Sequence, residues 1–133
     1  SDDYLTSKQN GVAVFGGGNE APAMVKYKGK YIAVASGVHG WAGSETVCAM
    51  SDSPLGPYKQ VEDISKEHTW NSQVTDLIYL KESDIVMALC DQWWTPNKED
   101  INQSRYLFLP IQMDEKTGEP KMIFQEKWNP LKE

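Results

Sequence analysis

Apolar and polar positions alternate along most of this 133-residue chain with the period of two that marks half-buried β-strands. Val12 to Phe15 is a short apolar run. Ala21 to Tyr27 alternates, Lys28-Gly29 reads as a hairpin turn, and Tyr31 to Ala35 is a continuous β run. A loop from Ser36 to Glu45 carries Gly37, Gly40 and Gly43 and leads into a third strand, Thr46 to Ser51. The turn Ser53-Pro54-Leu55-Gly56-Pro57 then precedes a short outer strand, Tyr58 to Val61. Helical structure is expected only as a turn around Val61 to Lys66.

The same order then recurs. Val74 to Leu80, a polar turn at Lys81 to Asp84, and Ile85 to Cys90 are followed by a long loop, Asp91 to Gln103. Arg105 to Met113, a turn at Asp114 to Pro120, and Lys121 to Gln125 complete the second unit. The units start about 50 residues apart, the repeat length of β-propeller blades. The fold class is therefore all-β, with about two four-stranded antiparallel blades. Residues 1–15 are expected to end a preceding blade, 16–66 to form one blade and 67–133 the next. A closed ring needs about four to eight blades, so the chain is expected to meet further blades or to self-associate. A β-sandwich of the same eight strands is the alternative.

Composition narrows the partners. Charged residues make up 24% and hydrophobic ones 40%, the balance of a globular domain. A net charge of -6 argues against the basic face that nucleic acid or an anionic membrane requires, so neither is expected as a partner. No apolar run approaches the ~18 residues of a membrane span, and Ser1 to Tyr4 has no leader pattern. Cys48 and Cys90 each lie in an apolar strand pattern and read as free buried thiols. Five Trp and six Tyr are many for this length; such rings fill cores and also form platforms for sugar rings.

Glu20 stands out as candidate chemistry. Gly16-Gly17-Gly18-Asn19 delivers its carboxylate to the start of an alternating strand, where a side chain is held rigidly yet can face a cleft. A general acid needs that mounting. The alternative is a solvated loop carboxylate. Pro22 is expected to keep Ala21 extended. Other chemistries do not fit the pattern. The glycine run lacks a Gly-Lys-Ser/Thr ending, and no Gly-x-Ser-x-Gly elbow occurs. His39 and His68 do not sit at metal-ligand spacing with each other or with the cysteines, so no metal or cofactor is expected.

Seven segments then run in a suggestive order: Asn19-Glu20-Ala21-Pro22-Ala23-Met24, Lys28-Gly29-Lys30-Tyr31, Ser36-Gly37-Val38-His39-Gly40-Trp41, Asp52-Ser53-Pro54-Leu55-Gly56-Pro57-Tyr58, Trp70-Asn71-Ser72-Gln73, Asp91-Gln92-Trp93-Trp94 and Ser104-Arg105-Tyr106-Leu107-Phe108-Leu109-Pro110. Together they resemble glycoside hydrolase family 43, the five-bladed β-propeller glycosidases, and most of all its branch with exo-acting 1,3-galactanases. The resemblance implies an inverting hydrolase of plant-type polysaccharide or oligosaccharide side chains (galactan, arabinan or xylan), located in the periplasm or outside the cell.

Residue by residue, Glu20 falls on the family's general-acid position. The aspartate base and a second, pKa-modulating aspartate lie in earlier blades of the family, so the isolated chain is expected to be inactive. Some galactanase-like members use a glutamine in place of that base, and Gln73 lies on the corresponding segment; a buried hydrogen-bonding role is the equal alternative. His39, Gly40, Trp41 and Trp93 are implied to bind substrate, with His39 standing where relatives carry threonine. Trp41 serves either as a sugar platform or as packing, and Trp94 shares the loop with Trp93. Asp91 reads as structural or as a sugar-hydroxyl ligand, and Arg105 as a partner for a carboxylate between blades. The second reading of the whole chain is a non-catalytic carbohydrate-binding or structural half-propeller that pairs with another chain.

Overall fold

The computed structural model describes Leu5 and residues 11–62, 64–93 and 100–131. Strands β1 (Asn19–Tyr27), β2 (Lys30–Gly37), β3 (Thr46–Ser51) and β4 (Lys59–Val61) form one sheet. Strands β5 (Gln73–Leu80), β6 (Ile85–Gln92), β7 (Arg105–Met113) and β8 (Pro120–Met122) form a second. Each sheet is an antiparallel meander in chain order, and β1 packs against β5. These are propeller blades meeting along their first strands; among the described residues no strand crosses between sheets as Greek-key sandwich connections would require.

Local chemistry fixes the register. Tyr27 pairs with Lys30 across a two-residue turn in which Lys28 (φ 47) and Gly29 (φ 83) both take positive φ, the geometry that matches strand twist. The row Leu77–Ala88–Leu109 lies in register on the buried face of the second sheet and joins Ile32, Val34 and Cys48 of the first in one core. Each large aliphatic side chain buried there contributes roughly 1.5–3 kcal/mol. The opposite face carries the row Ile78–Met87–Pro110 and the pair Leu89–Phe108, and it stays open at Phe108 (49% exposed).

Three local expectations are corrected. Val12 to Phe15 forms no strand. Ala21 is not extended: a β-bulge after Glu20 puts it at φ 50. The helical turn lies not at 61–66 but at Glu67–Asn71, where all five residues have φ between 51 and 56. Left-handed backbone costs roughly 1–2 kcal/mol per L-residue. Thr69 anchors it, fully buried, with its hydroxyl donating to the Ser44 carbonyl at 2.7 Å and bonded to the Thr46 hydroxyl at 2.8 Å and that of Ser65 at 3.0 Å. Gly43 passes so closely that a Cβ there would lie 2.6 Å from the Asn71 Cα.

Candidate active site

Glu20 and Gln73 hold equivalent stations in consecutive blades. Glu20 is the second residue of β1 and Gln73 the first of β5, and each strand bulges just beyond, between Glu20 and Ala23 and between Val74 and Asp76. A bulge turns the neighbouring side chain away from the regular pleat, which re-aims residues at a cleft rim. Because β1 and β5 pack together, the two side chains meet. The Gln73 amide Nε2 donates to Glu20 Oε1 at 2.8 Å and to the Ser36 hydroxyl at 3.0 Å. Ser36 is fully buried opposite Glu20 in the β1–β2 register, and its hydroxyl donates to the Glu20 carbonyl at 3.4 Å.

These groups form one wall of an open cleft of about 440 Å³ lined by Glu20, Ala21, Val38, Gly40, Trp41, Gln73 and Trp93. That size suits a small ligand. Trp41 is 60% exposed and meets Trp93 edge-on, with centroids 4.9 Å apart at 78°. It packs no core and offers an open indole face beside the carboxylate, the combination that holds a sugar ring by stacking while polar groups read its hydroxyls. Four predicted substrate-side positions were His39, Gly40, Trp41 and Trp93, and the fold brings three of them to the cleft.

His39 is not among the cleft-lining residues. One of its ring nitrogens lies with a Glu45 carboxylate oxygen and a His68 ring nitrogen, all three groups exposed and all three atoms within 4.8 Å of one another. The two histidines, far apart in sequence and not expected at a shared metal-ligand spacing, come near each other because the left-handed turn delivers His68 beside the β2–β3 loop. Trp94 lies outside the described residues. Asp91 is half-buried in β6, in register between Gln73 and Tyr106. Arg105 is exposed and makes no ion pair among the described residues. Ser36 was missed because it reads as the start of a loop; its register opposite Glu20 appears only once β2 is seen to run on to Gly37.

No family model and no curated protein matches the sequence. Solved structures do. A family 43 β-1,3-galactosidase, in a structure with galactodeoxynojirimycin, is 32% identical with a TM-score of 0.73 over 84% of this chain. The chain is glycoside hydrolase family 43-like. An exo-β-1,3-galactanase from Phanerochaete chrysosporium, in a structure with galactose, is 30% identical with a TM-score of 0.67 over 81% of this family 43-like chain. An exo-β-1,3-galactanase from Clostridium thermocellum shares the fold at 24% identity and a TM-score of 0.71 over 80%. The family 43-like chain spans 32%, 24% and 23% of those three proteins respectively.

Proposed function

We propose that this chain carries the general acid and the aromatic wall of the sugar site of an inverting glycoside hydrolase, with β-1,3-linked galactosides as the substrate class. The single observation behind this reading is that Glu20 is, among the described residues, the one carboxylate lining a cleft whose other features are an exposed indole, a glycine-bearing loop and a neutral amide. The names of the similar structures at 30% identity or more, galactosidase and galactanase, support galactan over arabinan or xylan.

The chemistry follows from the geometry. The Gln73 amide occupies Glu20 Oε1, which leaves Oε2 to carry the acidic proton. Oε2–H gives that proton to the glycosidic oxygen as the bond to the anomeric carbon breaks, and water adds from the opposite face. An inverting pair of carboxyl groups stands roughly 6.5–9.5 Å apart to admit that water. Gln73, at 2.8 Å from Glu20, therefore acts through the acid by orienting it, and the water-activating group comes from outside the described cleft. The open face of Ile78, Met87 and Phe108 supports a further blade seated there. A periplasmic or extracellular location belongs to the same proposal, because polysaccharides of this kind lie outside the cytoplasm.

The test is Glu20→Gln in the complete protein, assayed on a β-1,3-galactan and on a dinitrophenyl β-galactoside. Loss of general-acid catalysis lowers the galactan rate by about 10²–10⁴-fold. The dinitrophenyl substrate, whose leaving group needs no proton, retains its rate, and galacto-oligosaccharide binding persists. Equal loss on both substrates would remove Glu20 from the acid role. A single carboxylate among the described cleft residues also favours a binding-only reading of the isolated chain. In that case the 133-residue chain binds galacto-oligosaccharides and releases no sugar, and turnover by it would overturn the need for an outside group.

A further inference from the structure

The chain has two histidines, and both converge on one carboxylate. His39 comes from the loop between β2 and β3, Glu45 from the end of that loop, and His68 from the left-handed turn before β5. His68 Nδ1 and Glu45 Oε1 stand 3.3 Å apart. Two ligands at ~2 Å from a tetrahedral ion are separated by roughly 3.3 Å, so this pair already has the span of a tetrahedral edge. The third atom, on His39, lies within 4.8 Å of both and completes the set by a side-chain adjustment on an exposed loop.

We propose that His39, Glu45 and His68 form a binding site for one divalent transition-metal ion, zinc being the best fit to two imidazoles and a carboxylate. Calcium and magnesium prefer all-oxygen shells, and imidazole nitrogen selects against them. Three protein ligands leave the fourth position of a tetrahedral ion open to water or another ligand.

The backbone that carries these groups is preorganised by contacts independent of any ion. Thr46 and Thr69, the neighbours of Glu45 and His68, join hydroxyl to hydroxyl at 2.8 Å in a buried position, and Thr69 also holds the Ser44 carbonyl. Close approach of Gly43 to Asn71 and Ser72 fixes the same seam a second time. The His39 ring lies over Gly37, with its Nε2 3.7 Å from where a Cβ would stand. Cys48 and Cys90 do not compete, since burial pushes both thiols up to about 12 and the thiolate is the metal-binding form.

An ion at this site would tie the loop that supplies Val38, Gly40 and Trp41 to the turn that leads into Gln73. It would thereby clamp two blades beside the cleft. This function is separate from proton donation by Glu20 and holds or fails independently of it.

The experiment is calorimetric zinc titration of the tag-free protein and of His39→Gln, Glu45→Gln and His68→Asn. Asparagine is chosen at 68 because it tolerates the left-handed backbone there. Wild type binds one zinc ion that each variant loses or holds at least ~10-fold more weakly, the smallest loss that even outer-shell changes produce. Zinc raises the melting temperature of wild type and leaves the variants unmoved, while without metal all four melt alike because the three side chains are exposed. Absence of saturable zinc binding at millimolar metal overturns the site. So does binding that survives unchanged in any of the three variants, or calcium binding of equal strength.

Discussion

Gln73 donates its amide to Glu20 across the seam between two blades, 2.8 Å from Nε2 to Oε1. The same nitrogen reaches the buried Ser36 hydroxyl at 3.0 Å, and Ser36 returns to the Glu20 backbone. The carboxylate is thus fixed at both its side chain and its main chain, by residues from β2 and β5. A group so held keeps one orientation when substrate arrives, and preorganisation of this kind is where positioned acids gain their rate.

Replacing Gln73 by alanine removes a donor shared by two acceptors. Ser36 is fully buried, and an unsatisfied buried polar group costs about 1–3 kcal/mol, so stability falls by that order. The kinetic signature separates two roles. If Gln73 orients the acid, the loss is concentrated on substrates with poor leaving groups and a dinitrophenyl galactoside is spared. If it activates water, both substrates slow together. Comparing the two kcat/KM ratios decides between them.

Gly43→Ala places a methyl 2.6 Å from the Asn71 Cα and 2.7 Å from the Ser72 nitrogen. Those are backbone atoms, so the turn itself must shift. Forced overpacking of this sort costs typically about 1–3 kcal/mol. The same shift moves the entry to β5, so sugar affinity drops along with the melting temperature. Gly29→Ala serves as the comparison: its φ of 83 strains an added side chain, but nothing lies within 4 Å. It should destabilise without weakening sugar binding, and a matching loss of affinity in both variants would refute the link between Gly43 and the cleft.

The sheets were legible because their signals are local. Alternation, the Lys28-Gly29 turn and the Ser53–Pro57 turn each act within a few residues, and the eight strands lie where those signals put them, with ends shifted by a residue or two for most and three at the close of β8. What stayed hidden depends on packing. Left-handed backbone at Glu67–Asn71 has no glycine to announce it, and it exists because Thr69 finds two buried partners, Ser44 and Thr46, far along the chain, and a third in nearby Ser65. The positive φ of Ala21 runs against the bias set by Pro22, and the bulge prevails because it seats Glu20. Glu20 and Gln73 were each readable as candidates, whereas their contact spans 53 residues and needs β1 against β5. The meeting of His39, Glu45 and His68 follows from that same hidden turn.

At the end of the molecule formed by the two hairpin turns, Lys28 Nζ pairs with Asp84 Oδ2 at 2.6 Å and the Tyr79 hydroxyl donates to Asp84 Oδ1 at 3.0 Å. The Lys28 hydrogen bond, aided by Tyr79, holds the Asp84 carboxyl below its ordinary 3.8. A folded-state value lower than the unfolded one means the ionised form stabilises the fold above that range, and the contribution is lost as pH falls through the folded value. Lys28 is raised by the same bond above 10.5, so its share is complete below that pH and lost in stronger alkali. Asp84→Asn should therefore melt lower than wild type near neutrality, with the two curves converging in acid below 3.8. A difference that persists unchanged at low pH would assign the effect to packing instead of charge. Since both side chains are exposed, the gap narrows with added salt.

Cys48 and Cys90 lie in β3 and β6, both buried, and burial pushes both thiols up to about 12, with the Ser72 hydrogen bond to Cys90 working the other way. At pH 8 the thiolate fraction is then far below that of a free cysteine, and the thiolate is the reactive form. A disulfide reagent at pH 8 should modify neither thiol in the folded protein on the timescale of minutes, and both at once in denaturant. Because Cys90 pairs in register with Val74, next to Gln73, any modification there would also disturb the cleft. Labelling that proceeds without unfolding, at a rate independent of stability, would show that the core opens at β6. Labelling that tracks the unfolding equilibrium would show that the two blades protect their thiols as one cooperative unit, as a shared core built from Val34, Cys48, Val74 and Cys90 requires.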